Sequence, residues 1–446
     1  MEKLTKEQIT KGLEVLSKQE DGKLYTHLNS CVHCGLCAES CIYYQAFGDP
    51  KFIPAKKVEL VNSIYQRYNS NMGKIVPFLS NAKKIDDKVV LAMVDSLFGG
   101  CTMCGRCVSH CSIGVDIAYV IRKGREMLTE MGLTPASLQK TVDTAITTGN
   151  NMGIPTDELV ETIEWLEEDL QMEVEDDEAK IPLNEKDKNI LYTLNPREPK
   201  FFPLSISAMA KVFYAAKESW TLSTKMYDIT NYAFFSCNNA EAEIISQRMY
   251  DEVKNLNAKD LILAECGHGN RANRWEAPNY LKKEYDFDIF SSVELMAKYI
   301  REKRIIVNPK LNSERVTIHD PCNLVRNGGI FEEQRFIVNA TCIDFVEMKP
   351  YGYDNYCCGG GGGQLSMGEY NDRRLGIGKI KADQIKATGA KVVITPCHNC
   401  VDQLIQLNAF YKLNVKIMTM AEIVADAIVL DKKELINASL EINQNT

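Results

Sequence analysis

The chain is short of several residue types and patterns that usually announce a function. Its 446 residues include only 3 Trp and 6 His, and no apolar run reaches the 18 residues of a membrane-spanning helix. The N-terminal MEKLTKEQITKGLEVL has no apolar core or small-residue cleavage site, so no export signal is expected. Lysine and arginine are outnumbered, giving a net charge of -8 and no general electrostatic support for a nucleic-acid partner. The GGGGG run lacks the G-x-G-x-x-G context of a nucleotide or flavin site. With 45% hydrophobic and 25% charged residues the composition is globular, and the length calls for two or three domains. What the chain has in quantity is cysteine: 16, mostly in clusters. Without an export signal, clustered cysteine points to metal or redox work more than to a disulfide framework.

Eight cysteines fall in two runs of identical spacing, C-x2-C-x2-C-x3-C. CVHCGLCAESC contributes Cys31, Cys34, Cys37 and Cys41; CTMCGRCVSHC contributes Cys101, Cys104, Cys107 and Cys111. In this spacing three thiolates wrap one cubane and the fourth reaches the neighbouring cluster. The expectation is therefore two [4Fe–4S] cubanes, one on Cys31, Cys34, Cys37 and Cys111, the other on Cys101, Cys104, Cys107 and Cys41. Gly35 and Gly105 suit the tight backbone beside each cluster. Structural zinc is the competing reading, but it usually draws on two separated cysteine pairs. Ile42 and Ser112 stand where a proline commonly follows the fourth cysteine. His33 and His110, inside the runs, are read as tuning cluster potential through hydrogen bonds to sulfur. The 59 residues between the runs are helix-patterned, as in KKVELVNSIYQRYNS and DKVVLAMVDSLF.

Asp157 to Glu178 holds 12 acidic residues and no basic one. It reads as a solvated helix and linker, with docking of a basic partner as the alternative. Trp165 within it is expected to pack that helix onto a neighbour. Further on, the sequence repeats at an offset near 125–131 residues. VKNLNAKDLILAEC (Val253–Cys266) matches IKATGAKVVITPC (Ile385–Cys397), each a helix, a turn and a buried strand ending at a cysteine. SSVELMAKYI (Ser291–Ile300) matches MTMAEIVADAI (Met418–Ile428), and YDITNYAF (Tyr227–Phe234) matches YDNYCC (Tyr353–Cys358). Strand ends should thus carry cysteines to one sheet edge, where α/β folds place their sites. The second copy has Cys322, Cys357, Cys358, Cys397 and Cys400. The first has Ala233 and Phe234 for the cysteine pair and retains only Cys266, with His268 beside it. A supporting role at the site is one reading of Cys266 and His268, packing the other. Cys237 and Cys342 match no motif and are read as core thiols; His27 carries no signal.

The order of twin cubane motifs followed by C…CCG…C-x2-C resembles the D polypeptide of heterodisulfide reductase and its relatives, over roughly residues 20–430. The long insertion between the cubane runs resembles helical ferredoxin modules of multi-subunit oxidoreductases. With its degenerate first copy and ECGHG, the pattern is most similar to the K subunit of the sulfite-reductase-associated membrane complex and the iron–sulfur subunit of the type II cytochrome c3 transmembrane complex. The resemblance implies an α+β and α/β multidomain protein. Its parts would be a helical di-cluster ferredoxin-like domain (1–133), an acidic connector (134–200), a degenerate α/β CCG repeat (201–310), an intact CCG repeat (311–430) and a polar tail (431–446). It implies a noncubane [4Fe–4S] centre on Cys322, Cys357, Cys358, Cys397 and Cys400, splitting a disulfide in two one-electron steps. Five thiolates exceed a cubane's need, and Gly359–Gly363 frees the backbone after two adjacent ligands. His319 and His398, flanking ligand cysteines, are candidate proton donors. Implied partners are a membrane cytochrome b-type subunit or a flavoprotein, and a dithiol or disulfide protein; the implied location is cytoplasmic, peripheral at the inner membrane face. The other function class is a pure electron conduit, of the glycolate- or lactate-oxidase or bifurcating kind, with a structural C-terminal metal such as zinc.

Overall fold

The computed structural model describes residues 4–17 and 22–430; the polar tail lies outside the described residues. The chain divides into two compact units. The first comprises the described residues of Met1–Val142 with Tyr232–Ala242 and Tyr356–Lys381; the second comprises Asp143–Asn231, Glu243–Asn355 and the described residues of Ala382–Thr446.

The first unit is helical. Its principal helices are Lys6–Ser17, Gly22–Ser30, Pro54–Asn69, Asp87–Leu97 and Ile117–Glu130. Pro54 opens its helix at the position where a missing N–H costs nothing, and Val58, Val61 and Ile64 form the buried stripe. Asp116 caps the last of these helices by accepting from Tyr119 N, and Ile117, Val120, Ile121 and Leu128 face inward. The two cysteine runs join these helices with matching backbones. His33 and Met103, two residues after each first cysteine, have φ of 53° and 55°, and Gly35 and Gly105 have φ of 84° and 77°. The left-handed turn at each glycine is a conformational need, because a Cβ on Gly35 would meet open space.

The second unit is α/β. Strands β1 (Ile190–Tyr192), β2 (Trp220–Leu222), β3 (Asp260–Leu263) and β4 (Asp288–Ser291) form a parallel sheet ordered β2-β1-β3-β4. Strands β5 (Val316–Ile318), β6 (Val392–Ile394) and β7 (Lys416–Met418) form a second parallel sheet ordered β5-β6-β7. An isolated parallel bridge from Val316 to Phe345 stands where β2 stands beside β1. Burial on both faces explains the continuous apolar runs of β1 and β6, which show no alternation. Ser291 with Glu294, and Thr419 with Glu422, form matching capping boxes on the helices after β4 and β7.

The structure draws two boundaries differently from the sequence reading. β1 pairs with both β2 and β3 inside the stretch read as a connector, so the first α/β copy begins before residue 201. The acidic helix, Thr156–Val174, is integral too: Leu159, Ile163, Leu166 and Leu170 are buried, and Glu167 accepts from Ile181 N at 2.7 Å. Trp165 lies off that stripe and is 51% exposed, so it does not pack the helix as expected. Among the described residues no helix is long and apolar enough to cross a membrane.

Candidate iron–sulfur sites

The first unit interleaves the two cysteine runs. Burial pushes the Cys31 thiol up, and Cys111 and Cys34 add to the rise as neighbouring charges. Burial likewise raises Cys37, with Cys31 and Cys34 nearby. Cys41, the last cysteine of the first run, is raised by burial with Cys101 and Cys104 as its cysteine neighbours. Cys107 is raised well above the usual range by burial and by Cys104, Cys101 and Cys41. Cys41 thus sits with Cys101, Cys104 and Cys107, and Cys111 lies near Cys31. A small cavity of about 30 Å³ is lined by Cys41, Cys101, Cys104 and Cys107 together with Tyr43, Lys57 and Ile121. Four soft sulfur ligands converging on one space are the donor set of a [4Fe–4S] cluster.

Lys57 is a site residue that sequence reasoning missed. It is 1% exposed, on the buried face of helix Pro54–Asn69, and its Nζ donates to the Gly100 carbonyl and lies 5.4 Å from the Tyr43 ring centroid. Its charge opposes the rise of both Cys41 and Cys107. A lysine in an otherwise amphipathic helix reads as solvated, and only burial beside thiolates reveals this one.

Arg125 was missed for the same reason. Wholly buried in helix Ile117–Glu130, it donates to the carbonyls of Leu97 (3.0 Å), Cys101 (2.8 Å), Phe235 (2.7 Å) and Gly362 (3.0 Å). Phe235 directly follows the Ala233–Phe234 pair of the degenerate copy, and Gly362 lies in the glycine run after Cys357 and Cys358. One guanidinium therefore ties the Phe235 loop and the glycine run to the second cysteine run. A Cβ on Gly362 (φ 66°) would lie 2.7 Å from the Thr102 backbone, so the loop's approach to that run requires glycine. Gln364 Nε2 adds a 2.5 Å hydrogen bond to the Phe98 carbonyl. The loop amides turn onto the sulfurs, with Gly359 N to Cys357 Sγ and Gly360 N to Cys358 Sγ both at 3.4 Å.

The second unit holds Cys322, Cys397 and Cys400, each following the carboxyl end of β5 or β6. The loops after β3 and β6 meet at their cysteines. Gly267 N donates to Cys397 Sγ at 3.3 Å, His398 N donates to the Glu265 carbonyl at 2.8 Å, and Asn399 Nδ2 lies 3.2 Å from His268 Nδ1. The Cys397 thiol is pulled down to about 7, first by a hydrogen bond from the Cys400 side chain and then by the backbone amides of Gly267, Cys400 and Asn399. Cys266 accepts from Gly269 N at 3.4 Å and from Asn195 Nδ2 at 3.5 Å, and burial pushes its thiol well up. Burial and the Arg197 charge pull His268 down to about 3, so it is neutral.

His398 is turned into the first copy. Its Nδ1 is 3.0 Å from the Glu265 carbonyl and therefore carries the proton, while Nε2 is 3.1 Å from Ser205 Oγ. The Glu265 carboxylate in turn accepts from Met420 N (2.8 Å) and Ala421 N (2.6 Å), capping the helix after β7. His319 Nδ1 is 3.5 Å from Asn355 Nδ2, whose amide also donates to the Asp320 carbonyl. Cys237 and Cys342 are buried. His33 lies exposed on the first run's turn, and His27 Nδ1 accepts from Asp116 N at 3.3 Å.

This combination of a helical unit built around two interleaved four-cysteine sets and an α/β unit with cysteines at its strand ends defines an iron–sulfur electron-transfer protein. The comparisons narrow the class. A 4Fe-4S dicluster domain model matches residues 27–115, and a cysteine-rich CCG domain model matches residues 316–405. The chain is similar to the Hdr-like menaquinol oxidoreductase iron-sulfur subunit 2 of Archaeoglobus fulgidus, 26% identical over 94% of this chain and 82% of that protein. It is similar to the D polypeptide of the dihydromethanophenazine:CoB–CoM heterodisulfide reductase of Methanosarcina mazei, 24% identical over 91% and 95%. It is also similar to the EtfAB:quinone oxidoreductase of Syntrophomonas wolfei, 21% identical over 84% of this chain and 54% of that protein. These matches support a heterodisulfide reductase D-like iron–sulfur protein with a CCG domain.

Proposed function

We propose that the protein is a thiol–disulfide oxidoreductase component of a larger, membrane-associated complex. In this reading Cys31, Cys34, Cys37 and Cys111 hold one cubane, and Cys101, Cys104, Cys107 and Cys41 hold a second. Cys322, Cys357, Cys358, Cys397 and Cys400 hold a noncubane cluster at which a protein or small-molecule disulfide is reduced or formed. When bound, the clusters supply electrons singly, whereas a disulfide takes up two electrons and two protons to yield two thiols. The chain's residues set the order of the sites. Cys34 is exposed, so the first set faces the redox partner, a cytochrome b-type or flavin subunit. The second set carries the buried Lys57 charge, which favours a more reduced cluster there.

The observation that carries the proposal is the Arg125 clamp, because it holds the glycine run of the cysteine pair against the backbone of Cys101. A loop serving only a structural metal has no need of that approach. We further read the shared strand order of the two sheets as a duplication in which the first copy has lost its cluster ligands. Its Cys266 and His268 now brace the ligand loop at Cys397 to Cys400. The experiment is metal analysis with electron paramagnetic resonance on anaerobically purified protein. About twelve irons per chain, three clusters of four, support the reading; about eight irons with one zinc would establish the electron-conduit function instead.

A further inference from the structure

The insertion between the two cysteine runs presents an unusual surface. Residues 60–85 carry Arg67, Lys74, Lys83 and Lys84 and no acidic residue, in a chain whose net charge is -8. Within them Ile75 and Phe78 are 79% and 80% exposed, and Met72 and Leu79 are exposed beside them. Single exposed apolar residues are ordinary, but four large ones within eight positions are not.

The segment is built, not frayed. Ser70 caps the short helix Asn71–Ile75 by accepting from Gly73 N. Gly73 presses on the end of the preceding helix, where a Cβ would lie 2.0 Å from the Gln66 carbonyl oxygen. Arg67 Nη1 donates to the carbonyls of Gly73 and Lys74, both at 3.1 Å. Beyond the turn, Lys83 N donates to the Ser63 carbonyl at 3.0 Å, and Ile85 N to the Tyr68 hydroxyl at 3.3 Å. A backbone pinned at both ends therefore holds Ile75, Phe78 and Leu79 in water, with the exposed lysines at 74, 83 and 84 alongside.

We infer that this turn inserts into the interface of an anionic lipid bilayer. Apolar tips entering the acyl boundary with lysines at headgroup level is the chemistry of interfacial anchoring, and long lysine stems reach the headgroups while their carbons stay with the apolar residues. The local positive charge complements anionic headgroups, whereas the rest of the chain is repelled by them. These side chains lie outside the cysteine sites, so the inference stands or falls separately from the redox function.

Flotation of the full-length protein with protein-free vesicles tests it, comparing phosphatidylglycerol–phosphatidylcholine mixtures with phosphatidylcholine alone. The protein is expected to float with the anionic vesicles and to be released by high salt, which screens the lysines. The Ile75→Asp/Phe78→Asp pair should weaken partitioning by at least about tenfold, with iron content unchanged because both positions are exposed. Lys83→Glu/Lys84→Glu serves as an independent variant and should also lose binding. Wild-type protein that stays off anionic vesicles overturns the inference, including the case where it binds only vesicles containing an integral subunit, which would make the turn a protein interface. Variants that float as well as wild type overturn it equally.

Discussion

Arg125 donates to the Cys101 carbonyl at 2.8 Å, and the same guanidinium donates to Gly362 at 3.0 Å. A cysteine of the second run and the glycine run after Cys357 and Cys358 are thereby held by one buried cation. Four carbonyls share its donors, and a planar fork of five N–H groups is the side chain suited to that geometry. Arg125→Met should take a donor from each of those carbonyls and cost on the order of 3 kcal/mol or more of stability. Arg125→Lys, which keeps charge but not the fork, should fold better yet still slow electron exchange between the Cys101 set and the cysteine pair. Thermal unfolding and rapid freeze-quench resonance spectroscopy separate the two effects.

Lys57 predicts a difference between the two cubane potentials. Removing a buried positive charge beside Cys41 and Cys107 makes further reduction there less favourable. Lys57→Met should therefore lower the midpoint potential of that set while leaving the Cys31 set nearly unchanged. A redox titration followed by electron paramagnetic resonance reads both, and an unshifted potential would remove Lys57 from the tuning role.

Cys34→Ser should abolish one low-potential signal and perturb the other, because in the proposed ligation the two sets exchange their fourth ligands. It should block electron delivery from the partner while the C-terminal centre still assembles. Unimpaired turnover with the native partner would show that the proposed order of sites is incorrect.

Replacing Cys357 or Cys358 by serine should eliminate thiol-dependent redox activity together with the unusual paramagnetic signal, with about eight irons retained in the two cubanes. Variants that keep full disulfide reduction would reduce the C-terminal set to a structural metal site.

Gly362→Ala tests the loop's approach directly. With φ at 66° and the Thr102 backbone 2.7 Å from the new Cβ, the loop must move away from the second run. The variant should lose on the order of 1–3 kcal/mol of stability and, combined with Arg125→Met, show strong non-additivity, since both changes release the same contact. Chemical denaturation of the single and double variants checks this.

The cysteine spacing by itself determined much of this protein. Three closely spaced thiolates are a local constraint, so two runs of C-x2-C-x2-C-x3-C predict two clusters with Cys41 and Cys111 as the crossing ligands, and the structure brings Cys41 to the second run. The parallel α/β character was legible because buried parallel strands leave continuous apolar runs, and a cysteine follows two of them at Cys266 and Cys397. Tertiary structure alone decided what surrounds those sulfurs. A lysine and an arginine on amphipathic helices look solvated in sequence, and their burial as Lys57 and Arg125 depends on partners 43 and up to 237 positions away. The start of the first α/β copy was hidden because β1 is three residues long and follows an acidic helix, so neither length nor charge marks it. Histidine roles were equally a matter of packing: the neighbour of Cys397 could have faced sulfur or protein, and the Glu265 carbonyl and Ser205 hydroxyl turned His398 toward the other copy. Periodicity and ligand spacing are short-range properties of a chain, whereas burial of charge is settled only when distant segments meet.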